Sequence, residues 1–220
     1  MIELTINEQN VQVEPGATVL EAAEKAGIHI PTLCYLAEVQ AIGACRVCLV
    51  EIEGNKVLQA ACTLPAAEGM KVVTHNDRVR KARRFSVEML LSNHPFDCLS
   101  CARNLNCELQ KIAEELGIRH IEFAGEKTQA KIDDSSPSLV RDPNKCILCR
   151  RCVTVCQEVQ GVAALAMQGS SSAARIAMIA ITTRSSIKLN PKRGEDCAAR
   201  GSLLGQNGAT YLWVCSRICG

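Results

Sequence analysis

The sequence predicts an α+β chain in which small domains, each built around metal or cluster ligands, follow one another. Three observations carry this. Cysteine supplies 14 of the 220 residues and is gathered into separate groups. Residues 1–75 alternate apolar and polar side chains at strand period around one short helical stretch. Beyond them, apolar residues recur at helical spacing in 76–92 and 108–116.

Residues 2–6 (IELTI) and 10–13 (NVQV) flank the polar turn Asn7–Asn10 and read as a hairpin. Thr18 reads as a helix cap with Glu21 three residues on. Val19, Leu20, Ala23 and Ala26 then give a short amphipathic helix that stops at Gly27. Residues 47–52 (VCLVEI) and 70–74 (MKVVT) are further strands, so 1–75 should build a small mixed sheet with one crossing helix. Asn76–Ser92 reads as a helix with Asp77 in its first turn and Val79, Ala82, Phe85, Met89 and Leu90 as its buried stripe. Glu108–Leu116 is a second, with Leu109, Ile112, Ala113 and Leu116 on one face and Gly117 as the stop. Residues 133–138 (DDSSPS) read as a loop, and Arg150–Gln160 as a third helix.

Composition narrows the function. Hydrophobic residues make up 47%, enough to bury a core. The net charge of +2 gives no reason to expect nucleic acid or an anionic membrane, and six aromatic residues are poor material for stacking bases. The N-terminus lacks the basic start and apolar run of a signal peptide, and no window has the apolar length of a transmembrane helix. A cytoplasmic chain is the expectation. Thiols stay reduced there, so the cysteines point to metal ligation rather than disulfides.

The first group is C-x10-C-x2-C-x13-C: Cys34, Cys45, Cys48 and Cys62. Soft thiolates match iron and balance its charge. Gly43 lets the backbone curl close to inorganic sulfides, whose charge attracts N–H donors. A four-cysteine zinc site stays open, although zinc usually takes two close C-x2-C pairs and only one is present. The gap of ten also departs from the plant-type ferredoxin spacing of four. The second group is H-x3-C-x2-C-x5-C: His94, Cys98, Cys101 and Cys107. Three thiolates and an imidazole suit a cubane cluster or zinc equally well on spacing. The remaining histidines, His29, His75 and His120, stand alone and read as surface or core residues. The third group, C-x2-C-x2-C-x3-C (Cys146, Cys149, Cys152, Cys156), is the bacterial ferredoxin run and the most specific signal in the chain. A second such run should follow it and does not, and Gln157 stands where the usual proline would be. Arg46, Arg150 and Arg151 lie beside these ligands, either as surface arginines or as charges that stabilise a reduced cluster.

The order of the three motifs resembles the N-terminal electron-transfer region of FeFe hydrogenases. That region is shared with the large iron–sulfur subunit of respiratory complex I and with NAD-linked formate dehydrogenases. The strings that carry the resemblance are GACRVCLVEIEG (43–54), SNHPFDCLSCARNLNCELQKIAEELGI (92–118) and DDSSPSLVRDPNKCILCRRCVTVCQEVQGVAAL (133–165). The last two look most like the catalytic subunit of NAD(P)-linked, multi-subunit FeFe hydrogenases. The resemblance spans residues 1–168 and implies three domains: a β-grasp 2Fe–2S ferredoxin domain (1–78), a small helical 4Fe–4S domain with one-histidine, three-cysteine ligation (79–119), and the first half of a bacterial-ferredoxin-like 4Fe–4S domain (120–168). It implies that Cys34, Cys45, Cys48 and Cys62 hold a 2Fe–2S cluster, and that His94, Cys98, Cys101 and Cys107 hold a 4Fe–4S cluster. Cys146, Cys149 and Cys152 would hold three corners of another 4Fe–4S cluster, and Cys156 would serve the cluster of a second motif. Implied partners are diaphorase-type NAD(P)H-oxidising subunits and ferredoxin-like electron carriers. The hydrogen-activating domain that follows in that family is not expected in these residues, and neither a nucleotide-phosphate loop nor an acid–base pair stands out. A structural zinc-binding module is the rival from a different class.

Composition changes at Gly169. Residues 1–168 hold 21 acidic side chains, whereas 169–220 hold two acidic and seven basic ones. Cys197, Cys215 and Cys219 do not form the expected ferredoxin run. The reading is that 169–220 are a non-homologous tail, explained by a shifted frame or a join in the source sequence, with a true divergent tail as the alternative; the third cluster could then recruit Cys156 or Cys197 and is expected to be labile or absent.

Overall fold

The computed structural model describes residues 1–168 apart from 38, 40, 124–126, 128, 137 and 138, together with the backbone of 175–178. The expectations for Cys197, Cys215, Cys219 and the rest of the tail lie outside the described residues.

Strands β1 (Ile2–Ile6) and β2 (Gln9–Val13) pair antiparallel, with Ile6 opposite Gln9. That leaves a two-residue turn in which Asn7 and Glu8 both take positive φ, 47° and 70°. This is the mirror-image turn whose twist matches that of the flanking strands. The alternation turns Leu4, Ile6, Val11 and Val13 inward. Strands β3 (Leu49–Ile52), β4 (Gln59–Ala60) and β5 (Lys71–Val73) complete a sheet of order β2-β1-β5-β3-β4, in which β1 and β5 run parallel and the other pairs antiparallel. Helix α1 (Val19–Lys25) crosses it with Val19, Leu20, Ala22 and Ala23 buried. Each fully buried Val, Leu or Ile contributes about 1.5–3 kcal/mol. The capping box is present: Glu21 N–H donates to Thr18 Oγ1 at 3.2 Å, and Thr18 N–H to the Glu21 carboxylate at 2.7 Å. The helix ends where Gly27 takes φ 71° and Ile28 N–H reaches back to the Ala23 carbonyl, a reversal that costs a side-chain-bearing residue more than glycine.

Helix α2 (Asp77–Ser92) is capped by Asn76, whose side chain accepts from Val79 N–H at 2.8 Å. Its buried face corrects the predicted stripe. Val79, Arg83, Val87 and Glu88 are buried, whereas Phe85 and Met89 are exposed and Ala82 and Leu90 half-buried. The face four residues apart meets the sheet and the next helix, and an apolar-only pattern cannot include an arginine. Phe85 instead meets Phe123 edge-on, with ring centroids 5.3 Å apart. Helix α3 (Glu108–Glu115) buries Leu109, Ile112 and Ala113, as its pattern predicts.

Two further predictions are corrected. Part of the predicted loop 133–138 is strand: β6 (Asp133–Ser136) pairs antiparallel with β7 (Leu139–Arg141) through an irregular register, with Arg141 3.7 Å from Asp133. The predicted helix Arg150–Gln160 is α4 (Arg151–Thr154) followed by a wider π turn, Val155–Val159. Gln160 N–H bonds the Val155 carbonyl, five residues back. Strand β8 (Leu165–Gln168) pairs with β9 (Arg175–Met178) across residue 169.

Two apolar cores result. The first lies between the sheet and α1 and includes Cys48 and Cys62. The second gathers Leu33, Cys34, Cys45, Val47, Val87, Leu109, Ile112 and Ala113, with Cys107, Ile147 and Cys149 packed against it.

Candidate metal centres

Cys34, Cys45, Cys48 and Cys62 are all buried and close together. Cys48 and Cys62 have their sulfurs 3.4 Å apart. The chain brings Cys62 there because the 61–64 loop accepts from the N-terminus of α1: Leu20 N–H bonds the Ala61 carbonyl and Val19 N–H the Leu64 carbonyl. Cys48 enters from the residue before β3, where Ala61 N–H bonds its carbonyl. Gly43 takes φ 65°, which disfavours a side-chain-bearing residue, and a Cβ there would stand 3.1 Å from the Thr63 methyl and crowd it. The four thiols divide their protons. Hydrogen bonds from Cys45 and Cys62, helped by the Cys45 and Ala44 amides, hold Cys34 well below the usual thiol range. A hydrogen bond from Cys62 holds Cys48 down to about 7. Cys45 and Cys62, which donate those bonds in a buried setting, are pushed up. Four thiolates this close repel one another, so the set suits a group whose positive charge compensates all four at once. This first centre straddles both cores, with two of its cysteines in each.

The second group lies on the loop between α2 and α3. Cys98 opens a 3-10 turn and is exposed, Cys101 closes it, and Cys107 stands at the N-terminus of α3. Arg103 N–H points at the Cys101 sulfur at 3.5 Å. His94 follows the end of α2, and its Nδ1 lies 2.9 Å from the Pro95 carbonyl oxygen. Of the two readings left open for the other three histidines, surface or core, the structure shows the surface one: all three are exposed.

In the third group Cys146, Cys149 and Cys152 are half-buried, and Leu148 N–H points at the Cys146 sulfur at 3.4 Å. Burial pushes the Cys149 and Cys152 thiols up, and each also feels a neighbouring cysteine. Cys156 is buried inside the π turn. The Arg151 Nε is buried with no hydrogen-bond partner among the described residues, although Nη1 pairs with Glu108 at 2.6 Å. That orphaned donor beside Cys149 and Cys152 fits a site meant for an anionic group. Arg46 and Arg150 are exposed.

Of seven side-chain-bearing residues at positive φ among those described, four stand between the predicted ligands: Arg46, Leu105, Leu148 and Arg150. Such backbone is strained and persists where it turns N–H groups inward around an anion. One residue escaped the sequence reading. Arg83 reaches from α2 to the Leu49 carbonyl, one residue from Cys48, with Nε at 3.1 Å and Nη2 at 2.7 Å. Its only sequence signal is an arginine at the i+4 position of a buried face.

The three groups also touch one another's surroundings. Cys34, Cys107 and Cys149 share the second core, and the charge of Cys34 contributes to raising Cys149. Lys145 pairs with Asp97 at 2.9 Å, tying the third loop to the second.

Comparison with known proteins agrees with this layout. Residues 1–77 match a 2Fe-2S iron-sulfur cluster binding domain, and 83–122 match an NADH-ubiquinone oxidoreductase-G iron-sulfur binding region. Residues 136–190 match the ferredoxin-like domain of NADH-quinone oxidoreductase subunit 3. That match runs past the compositional change at 169. A fold of this kind with these domains is an iron–sulfur protein: a 2Fe–2S domain on a mixed sheet, followed by 4Fe–4S ferredoxin-like domains. The chain is 45% identical over 166 residues to the NADP-reducing hydrogenase subunit HndD of Solidesulfovibrio fructosivorans, covering 73% of this chain and 28% of that one. It is 44% identical over 167 residues to a G-type subunit of the NADH-quinone oxidoreductase of Rhizobium meliloti (strain 1021), covering 75% and 20%. A solved chain of an NAD+-reducing [NiFe]-hydrogenase in the H2-reduced state superimposes with a TM-score of 0.75 at 38% identity, covering 80% of this chain and 74% of that one. The chain belongs to the family of iron–sulfur subunits shared by NAD(P)-linked hydrogenases and NADH-quinone oxidoreductases, and it forms an electron-transfer module of that type. It spans 28% and 20% of the length of these two curated relatives. Among the described residues no helix is long and apolar enough to cross a membrane.

Proposed function

We propose that this chain relays single electrons through three centres. Cys34, Cys45, Cys48 and Cys62 hold a 2Fe–2S cluster. His94, Cys98, Cys101 and Cys107 hold a 4Fe–4S cluster. Cys146, Cys149 and Cys152 hold three corners of a further 4Fe–4S cluster. The relay runs between a diaphorase-type, NAD(P)H-oxidising partner or a ferredoxin-like carrier and a hydrogen-activating site outside the described residues. Clusters of this kind accept and release one electron with little rearrangement. The chain's own part is to supply thiolates, aim amide N–H groups at their sulfurs and exclude water. The observation that carries the reading is the shared second core, which brings one or more cysteines of every group to one apolar interior.

The near-equal identities to a hydrogenase subunit and to a quinone-linked subunit support a second parentage, the iron–sulfur subunit of an NADH dehydrogenase. The described residues do the same work in either. The domain boundaries proposed are 1–78, 79–119 and 120–168, with 169–220 as a further segment of different composition.

The test is anaerobic reconstitution of the full chain with iron and sulfide, followed by metal analysis and EPR. A brown protein with near-equal iron and sulfide and two kinds of reduced signal is expected. A colourless protein that takes zinc and no sulfide makes it a structural zinc module instead.

A further inference from the structure

Arg83 stands in the middle of the buried face of α2, between Val79 and Val87, and is 8% exposed. Among the described residues no carboxylate pairs with it, whereas its helix neighbours Arg78 and Arg84 hold Glu51 and Glu88, both at 2.8 Å. The Leu49 carbonyl, which accepts from both its Nε and its Nη2, carries only a partial charge. A buried cation without an anion is costly, because desolvation is not repaid by a dipole alone. Burial accordingly draws Arg83 down to about 10, and the charge of Cys48 opposes that fall. The guanidinium therefore stays charged near neutral pH, and the carbonyl it holds belongs to the residue that follows Cys48, a ligand of the first centre.

We propose that Arg83 is a potential-setting residue for the first centre: its buried charge, held at the Leu49 carbonyl one residue from Cys48, stabilises the reduced state of the group that Cys34, Cys45, Cys48 and Cys62 hold. The inference rests on the 2Fe–2S reading of those four cysteines. One-electron reduction adds one negative charge to the centre. A fixed positive charge in a poorly polarisable interior favours that state far more than an exposed one does, since solvent and salt screen the latter. Arg46 is nearer in sequence to the ligands but exposed, and so counts for less. Arg83 touches no substrate and acts only through the field at the sulfurs.

The test is an EPR-monitored redox titration of the full reconstituted chain as wild type, Arg83→Gln, Arg83→Met, Arg83→Lys and Arg46→Gln. The neutral Arg83 variants should lower the 2Fe–2S midpoint by about tenfold in the reduction equilibrium, or about 59 mV for one electron. Arg83→Lys should keep most of the wild-type potential, and Arg46→Gln should shift it less than the neutral Arg83 variants do. The 4Fe–4S midpoints serve as the internal reference and should stay put. An unmoved 2Fe–2S midpoint in a folded neutral variant overturns the proposal. So does a lysine variant that falls as far as the glutamine one, since that marks a packing effect. Should neither neutral variant fold, the lysine variant decides by its pH profile. A buried ammonium sheds its proton as pH rises, so its 2Fe–2S midpoint should drop more steeply with pH than that of the wild type. Parallel profiles overturn the proposal. A wild-type chain with no 2Fe–2S signal removes the ligand reading itself, an outcome distinct from an unmoved midpoint.

Discussion

The Nδ1 of His94 lies 2.9 Å from the carbonyl oxygen of Pro95, a group that can only accept. Nδ1 must then carry the proton, which leaves the lone pair of Nε2 free. The ring is thus able to offer Nε2 to a metal. As a neutral ligand among thiolates it should hold its cluster at a higher potential. His94→Cys should lower the potential of that 4Fe–4S signal in a redox titration of the reconstituted chain. An unchanged or raised potential removes His94 from the ligand set.

Cys48 belongs to the first core and to the first centre alone. Cys48→Ala should abolish the 2Fe–2S signal and leave the histidine-type cubane signal in place, measured by EPR at two temperatures. Loss of both signals in a protein with native circular dichroism would mean that the centres assemble as one.

Leu33 and Leu4 are equally well buried, but in different cores. Either leucine-to-alanine change should cost about 2–5 kcal/mol in urea unfolding. Their cluster signatures should differ. Leu33→Ala weakens the core that Cys34, Cys107 and Cys149 share, so iron retention should fall at more than one centre. A Leu33→Ala protein that loses only its 2Fe–2S signal would show that the shared core is not a common support.

Glu51 is held below the usual carboxylate range by the Asn76 side-chain amide and the Arg78 guanidinium, both of which hydrogen-bond it. A depressed carboxyl stabilises the fold above its ordinary value of 4.5, and that contribution is lost as pH falls through the lower folded value. Glu51→Gln should therefore be less stable than wild type at neutral pH, with the difference closing as the pH drops below 4.5. Thermal melts of the apo chain between neutral and acidic pH measure this. A constant gap across the series would assign the effect to shape rather than charge.

Local rules made much of the first domain legible. The Thr18–Glu21 box and the Gly27 stop depend on residues a few positions apart and stand as the pattern predicts, and the hairpin turn falls inside the predicted Asn7–Asn10 stretch but is only Asn7–Glu8. Features set by distant partners were not legible. The inward turn of Arg83 needs a carbonyl on β3, and the exposure of Phe85 goes with Phe123, 38 positions along the chain. Asp133–Ser136 looks like a loop because Asp and Ser favour turns, yet pairing with β7 overrides that preference. The cysteine groups could be read from spacing. Their convergence on one interior could not, because spacing says nothing about contacts between groups.

The second core crosses the borders at which the matched domains divide the chain, joining Leu33 and Cys34 to Ile112 and to Cys149. Rearranging such a gene by moving one matched domain would cut through that interior and leave Leu109, Ile112 or Val87 facing water. The smallest heritable part is therefore the whole stretch from the first cysteine loop to the third. Grafting a single cluster loop into another scaffold would require a substitute for the apolar surface that the other two provide.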